Sequence, residues 1–152
     1  MQLLNIDCVI IFDWTDFGKS NLSLSDGKCS NDKVDCIEHS AEYDVLSKRI
    51  RPFTVQTNVW CSASVVTSDG SLTQAGGFND SEHRVRIFKA CKSTTDNCDW
   101  VEVENALVAK RWYTTNHILP NGRQIVIGGR GQFNYKFLSK NGAPNLYNLP
   151  SG

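Results

Sequence analysis

Short apolar runs, separated by polar turn residues, recur along almost the entire chain. Within several runs apolar and polar side chains alternate, and a period of two residues is typical of a half-buried β-strand. No segment combines the period and the length of an amphipathic helix. The pattern predicts an all-β protein with strands near residues 8–12, 40–45, 62–67, 71–75, 85–88, 100–103, 114–119, 124–127 and 132–138.

Two dipeptides mark tight turns between predicted strands. Asp69-Gly70 follows the third of these strands, and Asn121-Gly122 follows the seventh. Both dipeptides favour the positive backbone angles that a two-residue hairpin loop requires. The sequence therefore predicts two β-hairpins of the same kind.

The hairpins belong to one motif that is written twice, 52 residues apart. The segment WCSASVV at 60–66 aligns with WYTTNHI at 112–118, and Gly76-Gly77 aligns with Gly128-Gly129. A repeat of about 50 residues with a Gly-Gly doublet resembles the kelch-type blade of a β-propeller. Such a blade is a four-stranded antiparallel sheet.

The repeat divides residues 1–152, taken as one partial kelch domain, into blade segments of about 1–55, 56–107 and 108–152. A closed propeller needs about four to eight blades. The predicted fold is therefore all-β, a kelch-type propeller fragment of about two to three four-stranded blades that is not closed. Aromatic residues are expected to pack against the Gly-Gly corners, namely Tyr43 and Phe53, Phe88 and Trp100, and Tyr135 or Phe137.

Composition excludes two classes of partner. Acidic and basic residues balance at 16 each, and no basic stripe is interleaved with aromatic residues, which argues against nucleic-acid binding. No apolar run reaches the roughly 18 residues of a membrane span. Residues 1–12 lack a basic start and a cleavage site, so no signal peptide is predicted in this chain.

The cysteines favour an oxidising compartment. Cys29 and Cys36 bracket one polar loop, and Cys91 and Cys98 bracket another at the same spacing. Zinc binding is the alternative, but the chain has neither a Cys-x2-Cys pair nor a matching pair of histidines. We therefore predict the disulfides Cys29–Cys36 and Cys91–Cys98 and an extracellular parent protein. Glycosylation sequons begin at Asn21 and Asn79.

Several motifs resemble the glyoxal oxidase family, and most closely its plant cell-wall branch. They are FDWTDFG at 12–18, NLSL at 21–24, VQTNVWCS at 55–62, QAGGFND at 74–80 and RWY at 111–113. The resemblance covers nearly the whole chain and points to the N-terminal part of the family. It implies a copper radical oxidase, related to galactose oxidase, that oxidises aldehydes such as glyoxal or methylglyoxal with O2 and releases H2O2.

The resemblance also implies a cofactor made from side chains. Cys61 and Tyr113 stand at the two positions that the family joins by a thioether, and the 52-residue offset makes them equivalent positions of successive repeats. A sulfur substituent beside the phenol oxygen makes a tyrosyl radical easier to form. By the same resemblance, the Tyr113 phenolate binds copper. The expected location of the parent is extracellular, at the cell wall.

The family's remaining copper ligands are missing from this chain. No Tyr-His dipeptide occurs, and the distal histidine has no counterpart. His117 stands four residues beyond Tyr113, or about 13 Å along an extended strand, and His39 and His83 are expected to be solvated. The chain alone is therefore expected to bind no copper and to be inactive. Gly131 stands where galactose oxidase carries a tryptophan, so galactose specificity is not supported, and Cys8 is expected to be a buried free thiol.

Two other functions remain open at this point. Kelch blades without a metal site bind proteins or glycans through their loops, so the chain could be a non-catalytic binding module. A degenerate copy without function is the other alternative.

Overall fold

The computed structural model describes residues 1–4, 7–14, 20, 22–24, 39–91, 98–140 and 142. Every strand in these residues belongs to an antiparallel sheet, and a short 3-10 helix at Asn79–Ser81 is the helical element among them. The strands are β1 Gln2–Leu3, β2 Cys8–Phe12, β3 Ser40–Asp44, β4 Ile50–Phe53, β5 Ala63–Val66, β6 Leu72–Ala75, β7 Val85–Phe88, β8 Val101–Val103, β9 Thr115–Ile118, β10 Gln124–Ile127 and β11 Tyr135–Leu138.

The strands form three sheets in chain order. The first contains β1 to β4, the second β5 to β8, and the third β9 to β11, each with sequential neighbours paired. This arrangement confirms the prediction of an all-β, unclosed part of a β-propeller. The strands β5 and β9 approach each other, which brings the first strands of the second and third sheets together.

Both predicted hairpins are present. Val66 pairs with Leu72 across the first turn, and Ile118 pairs with Gln124 across the second. Gly70 and Gly122 have φ angles of 82° and 80°, which a residue without a side chain adopts at little cost. The first strand of each hairpin begins one residue later than the sequence pattern predicts, because the residues after Trp60 and Trp112 form turns.

The core lies between the sheets rather than within one of them. One cluster joins the first and second sheets, and it contains Leu4, Ile10, Phe53, Val55, Val59, Leu72, Phe88 and Trp100. The other joins the second and third sheets, and it contains Ala75, Val85, Ala106, Leu107, Val126 and Leu138. The middle sheet is therefore covered on both faces, as stacked blades require.

The aromatic residues of the middle sheet are buried, as predicted, but they do not pack against the Gly-Gly corner. Phe88 and Trp100 are buried, but Phe88 pairs with Leu72, at the end of β6 that is remote from Gly76. The two rings pack in the cluster against the first sheet, with centroids 5.4 Å apart. In the third sheet Tyr135 is exposed.

The predicted disulfide Cys91–Cys98 is present, with a Cα–Cα distance of 5.6 Å. The pair Cys29–Cys36 and the sequon at Asn21 lie outside the described residues. Asn79 is exposed at the start of the 3-10 helix, and its glycosylation stays a prediction. Among the residues that the structure describes, no helix has the length and apolar character needed to cross a membrane.

Candidate active site

Cys61 and Tyr113 occupy the same unusual turn in successive repeats. Each follows a tryptophan and precedes the first strand of its sheet, and their φ angles are 55° and 58°. A residue with a side chain pays about 1–2 kcal/mol for this left-handed conformation. Such strain persists only where the surroundings enforce it, and it often marks functional positions.

The structure brings the two turns into contact. The backbone N–H of Tyr113 donates to the Cys61 carbonyl at 3.2 Å. A hydrogen bond with the Cys61 side chain is the first cause that raises the pKa of Tyr113, and desolvation adds to it. Cys61 is a half-buried free thiol, and Tyr113 is 56% exposed. Sulfur and phenol therefore share one site that is open on one side.

Aromatic rings surround this pair. The rings of Trp60 and Trp112 lie 5.2 Å apart between centroids, and Trp112 lies 4.8 Å from the neighbouring ring of Tyr113. Phe78 contacts both tryptophans, and Trp14 stacks on Trp60 at 4.3 Å. The cluster joins all three sheets around the Cys61–Tyr113 pair, so the positions of both turns depend on aromatic packing.

The Gly-Gly corners fix the backbone beneath the cluster. Gly77 donates its N–H to the Arg111 carbonyl at 3.0 Å, one residue before Trp112. A side chain on Gly76 would overlap that carbonyl, and it would lie 2.7 Å from the Arg111 Cβ. The corner of the second sheet thus touches the segment that leads into the Tyr113 turn.

Two buried arginines hold the corners, and the sequence pattern did not reveal either one. Arg86 donates to the Gly76 carbonyl at 2.8 Å, and Arg111 donates to the Gly128 carbonyl at 2.6 Å. Burial lowers the pKa of Arg86 to about 10, opposed by the carboxylate of Glu102 at 3.6 Å. The signal for Arg86 was its opposite charge to Glu102, its partner across β7 and β8. Alternation alone assigns both of these side chains to solvent.

Arg130 lies at the edge of the site, directly after the second Gly-Gly doublet. Its guanidinium stacks over the Trp112 ring at 4.9 Å, and its backbone N–H donates to the Trp112 carbonyl at 2.6 Å. The positive charge lowers the pKa of Tyr113, against the effect of Cys61. Phe78, its equivalent in the preceding repeat, packs on Trp60 instead.

The described residues do not make a complete copper site. Among them, no group of three or more His, Cys, Asp or Glu side chains could hold a metal ion. Tyr113 offers one oxygen ligand, whereas copper prefers several nitrogen and oxygen ligands held rigidly. His117 is exposed on β9, and the His83 Nδ1 bonds the Leu107 carbonyl at 2.8 Å.

Three further expectations concern His39, His83 and Cys8. His39 is buried at 6% exposure, so the prediction that it is solvated was wrong; it directly precedes β3, which packs between two strands of the first sheet. His83 is half-buried and therefore partly open to solvent. Cys8 is a buried free thiol, as predicted, and burial together with Glu42 raises its pKa to about 11.

Comparisons with known proteins agree on one family. Residues 1–151 match the family model described as the glyoxal oxidase N-terminus. The chain is 35% identical over 146 residues to aldehyde oxidase GLOX1 of Arabidopsis thaliana, covering 92% of this chain and 23% of the relative. It is 40% identical over 129 residues to aldehyde oxidase GLOX of Vitis pseudoreticulata, covering 80% and 24%.

A third relative, the putative aldehyde oxidase Art an 7 of Artemisia annua, is 30% identical over 158 residues and covers 99% and 26%. The chain therefore spans about a quarter of the length of the curated relatives that it matches. No solved structure matches the chain significantly.

Proposed function

This chain belongs to the glyoxal oxidase family, and we propose that it forms part of an enzyme that oxidises small aldehydes to carboxylic acids. The substrates would be aldehydes of the glyoxal or methylglyoxal kind. The aldehyde, water and O2 would give the acid and H2O2, so that the two electrons removed from the aldehyde reduce O2. The relatives named aldehyde oxidase support this reaction class.

The contact between Cys61 and Tyr113 carries the proposal. Two residues in equivalent turns of adjacent sheets meet through a backbone hydrogen bond from Tyr113 to Cys61, and the Cys61 side chain is the first cause that raises the pKa of Tyr113. The proposed thioether forms when the Cys61 S–H and one ring C–H of Tyr113 are replaced by a C–S bond. Two protons and two electrons pass to an oxidant in that step, and O2 leaves as H2O2.

Each part of the cluster has a role in this proposal. The tryptophans Trp60 and Trp112 hold the two turns at a fixed separation, and packing against them limits the motion of the Tyr113 ring. The copper that the family resemblance implies would need ligands beyond Tyr113. We therefore expect that the 152 residues alone release no peroxide, and that activity requires the remaining length of the relatives.

A chimera tests the proposal. Residues 1–151 would replace the matching quarter of the Vitis pseudoreticulata relative, and peroxide release with methylglyoxal would be measured after copper loading. We expect activity in the chimera, at least a hundredfold less after Tyr113→Phe, and little change after Tyr135→Phe, which alters an exposed tyrosine in the sheet that follows Tyr113.

A different result would redirect the assignment. A chimera that folds and stays inactive, while the parent relative is active, would contradict the proposal and favour a non-catalytic binding module. Activity that survives Tyr113→Phe would show that another residue performs the chemistry.

A further inference from the structure

Beside the Cys61–Tyr113 pair lies an arginine, Arg130, that forms no ion pair with any of the described residues. The four ion pairs among the described residues use Arg51, Arg84, Arg86 and Lys110 as cations. Arg130 is exposed, and within the described part of the chain its side chain has no carboxylate or carbonyl within hydrogen-bond distance. Its planar group presents five N–H donors, which match a carboxylate in a two-point geometry.

The surroundings hold this guanidinium in place and leave room beside it. Stacking on Trp112 fixes the plane of the group and leaves its edges free to donate. The next residue, Gly131, has φ 72°, and a side chain there would meet no atom within 4 Å. The buried Trp112 Nε1 has no acceptor among the described residues. The stacked pair of Arg130 and Trp112 therefore carries a second donor without an acceptor.

We propose that Arg130, stacked on Trp112 at the open side of the Tyr113 ring, binds a small carboxylate. The inference rests on the proposed function, because an aldehyde oxidase converts the reacting carbon itself into a carboxylate. Arg130 is then the residue that holds the acid product, or a substrate that already carries an acid group. Charge-assisted bidentate pairs of this type are stronger than hydrogen bonds between neutral groups.

Acetate and acetamide provide a matched pair of probes. They have nearly the same shape, but acetamide has no charge. Titration of the 152-residue chain, followed by tryptophan fluorescence because Trp112 forms the platform, should show saturable binding of acetate and none of acetamide at equal concentration. Binding should weaken as salt rises, since salt screens exposed charges and the Debye length is only about 8 Å at physiological ionic strength.

Variants locate the binding site. We expect Arg130→Gln to weaken acetate binding at least tenfold and Arg130→Lys to retain part of it, because lysine keeps the charge without the fork. Arg123→Gln is the matched control. The Arg123 guanidinium also lies over an aromatic ring, that of Phe137 at 5.1 Å. Arg123 directly follows the hairpin turn, at the far end of β10 from the second Gly-Gly doublet. That control should bind acetate as the unaltered chain does.

Three results would overturn the inference: equal binding of acetamide, unchanged acetate affinity in Arg130→Gln, or the same loss in Arg123→Gln. Circular dichroism establishes whether each variant folds. If Arg130→Gln does not fold, the acetate affinity of Arg130→Lys is compared with that of the unaltered chain instead. Acetate binding that depends on Arg130 in a chimera without oxidase activity would leave this inference standing and reject the proposed function. An active chimera whose acetate binding does not depend on Arg130 would reject this inference and leave the proposed function standing.

Discussion

Alanine at Gly76 should destabilise the fold far more than alanine at Gly128, although the two glycines are equivalent positions of the repeat. Their φ angles are 69° and 67°, so a side chain meets the same backbone strain at both. The surroundings differ. At Gly76 the new Cβ overlaps the Arg111 carbonyl, whereas at Gly128 the nearest atom is the Gln132 carbonyl oxygen at 3.8 Å.

The magnitudes follow from these contacts. Left-handed strain costs about 1–2 kcal/mol at either position. Gly76→Ala must also displace the Arg111 backbone, and overpacking of this kind costs about 1–3 kcal/mol. Displacement weakens the 3.0 Å bond from Gly77 to Arg111, which contributes about 0.5–1.5 kcal/mol. We expect a loss of about 3–5 kcal/mol for Gly76→Ala and about 1–2 kcal/mol for Gly128→Ala.

Urea denaturation followed by circular dichroism measures the difference. With a slope of about 2 kcal/mol per molar urea, the midpoint should fall by about 1.5–2.5 M for Gly76→Ala and by about 0.5–1 M for Gly128→Ala. The slopes must agree between variants for this comparison. Equal shifts, or a larger shift for Gly128→Ala, would refute the view that the Gly76 corner joins the second sheet to the segment that leads into Tyr113.

Three further predictions concern a thiol, a buried ion pair and the disulfide. Because the pKa of Cys8 is raised to about 11, only about one Cys8 thiol in a thousand is ionised at pH 8. Alkylation of Cys8 in the folded protein should therefore be about a hundredfold slower than in urea. The stability that the neutral thiol provides should be lost as pH rises from about 9 towards 11. Arg86→Met leaves Glu102 buried without its cation and should cost about 3–5 kcal/mol in a urea titration, whereas adding Glu102→Gln should recover much of that loss. Replacing Cys91 and Cys98 by serine should lower the free energy of unfolding by about 2–3 kcal/mol under oxidising conditions. If that decrease is no greater under oxidising than under reducing conditions, the result would argue against the disulfide.

The sequence predicted the features that depend on local chemistry and on repetition. Asp69-Gly70 and Asn121-Gly122 form hairpins because each supplies a glycine where φ is positive. The alignment of Cys61 with Tyr113 followed from the period alone, and the structure places the two turns in contact.

Contacts between sheets lay beyond the sequence pattern. Arg86 and Glu102 occupy positions that alternation assigns to solvent, but stacking of the first sheet on the second covers that face, and both side chains become buried. His39 is buried next to β3 for a similar reason, since paired strands flank that position. The left-handed turns at Cys61 and Tyr113 carry no composition signal, because neither residue type favours positive φ.

Peptide mass spectrometry of the chimera tests the central claim most directly, because it detects the bond between Cys61 and Tyr113 itself. After exposure to copper and O2, the tryptic peptide 112–123 should be recovered joined to the peptide that carries Cys61, lighter than the sum of the two by a pair of hydrogen atoms. Tyr113→Phe should prevent this product and leave Cys61 open to alkylation. Recovery of both peptides unlinked, with Cys61 fully alkylated in an active chimera, would contradict the account.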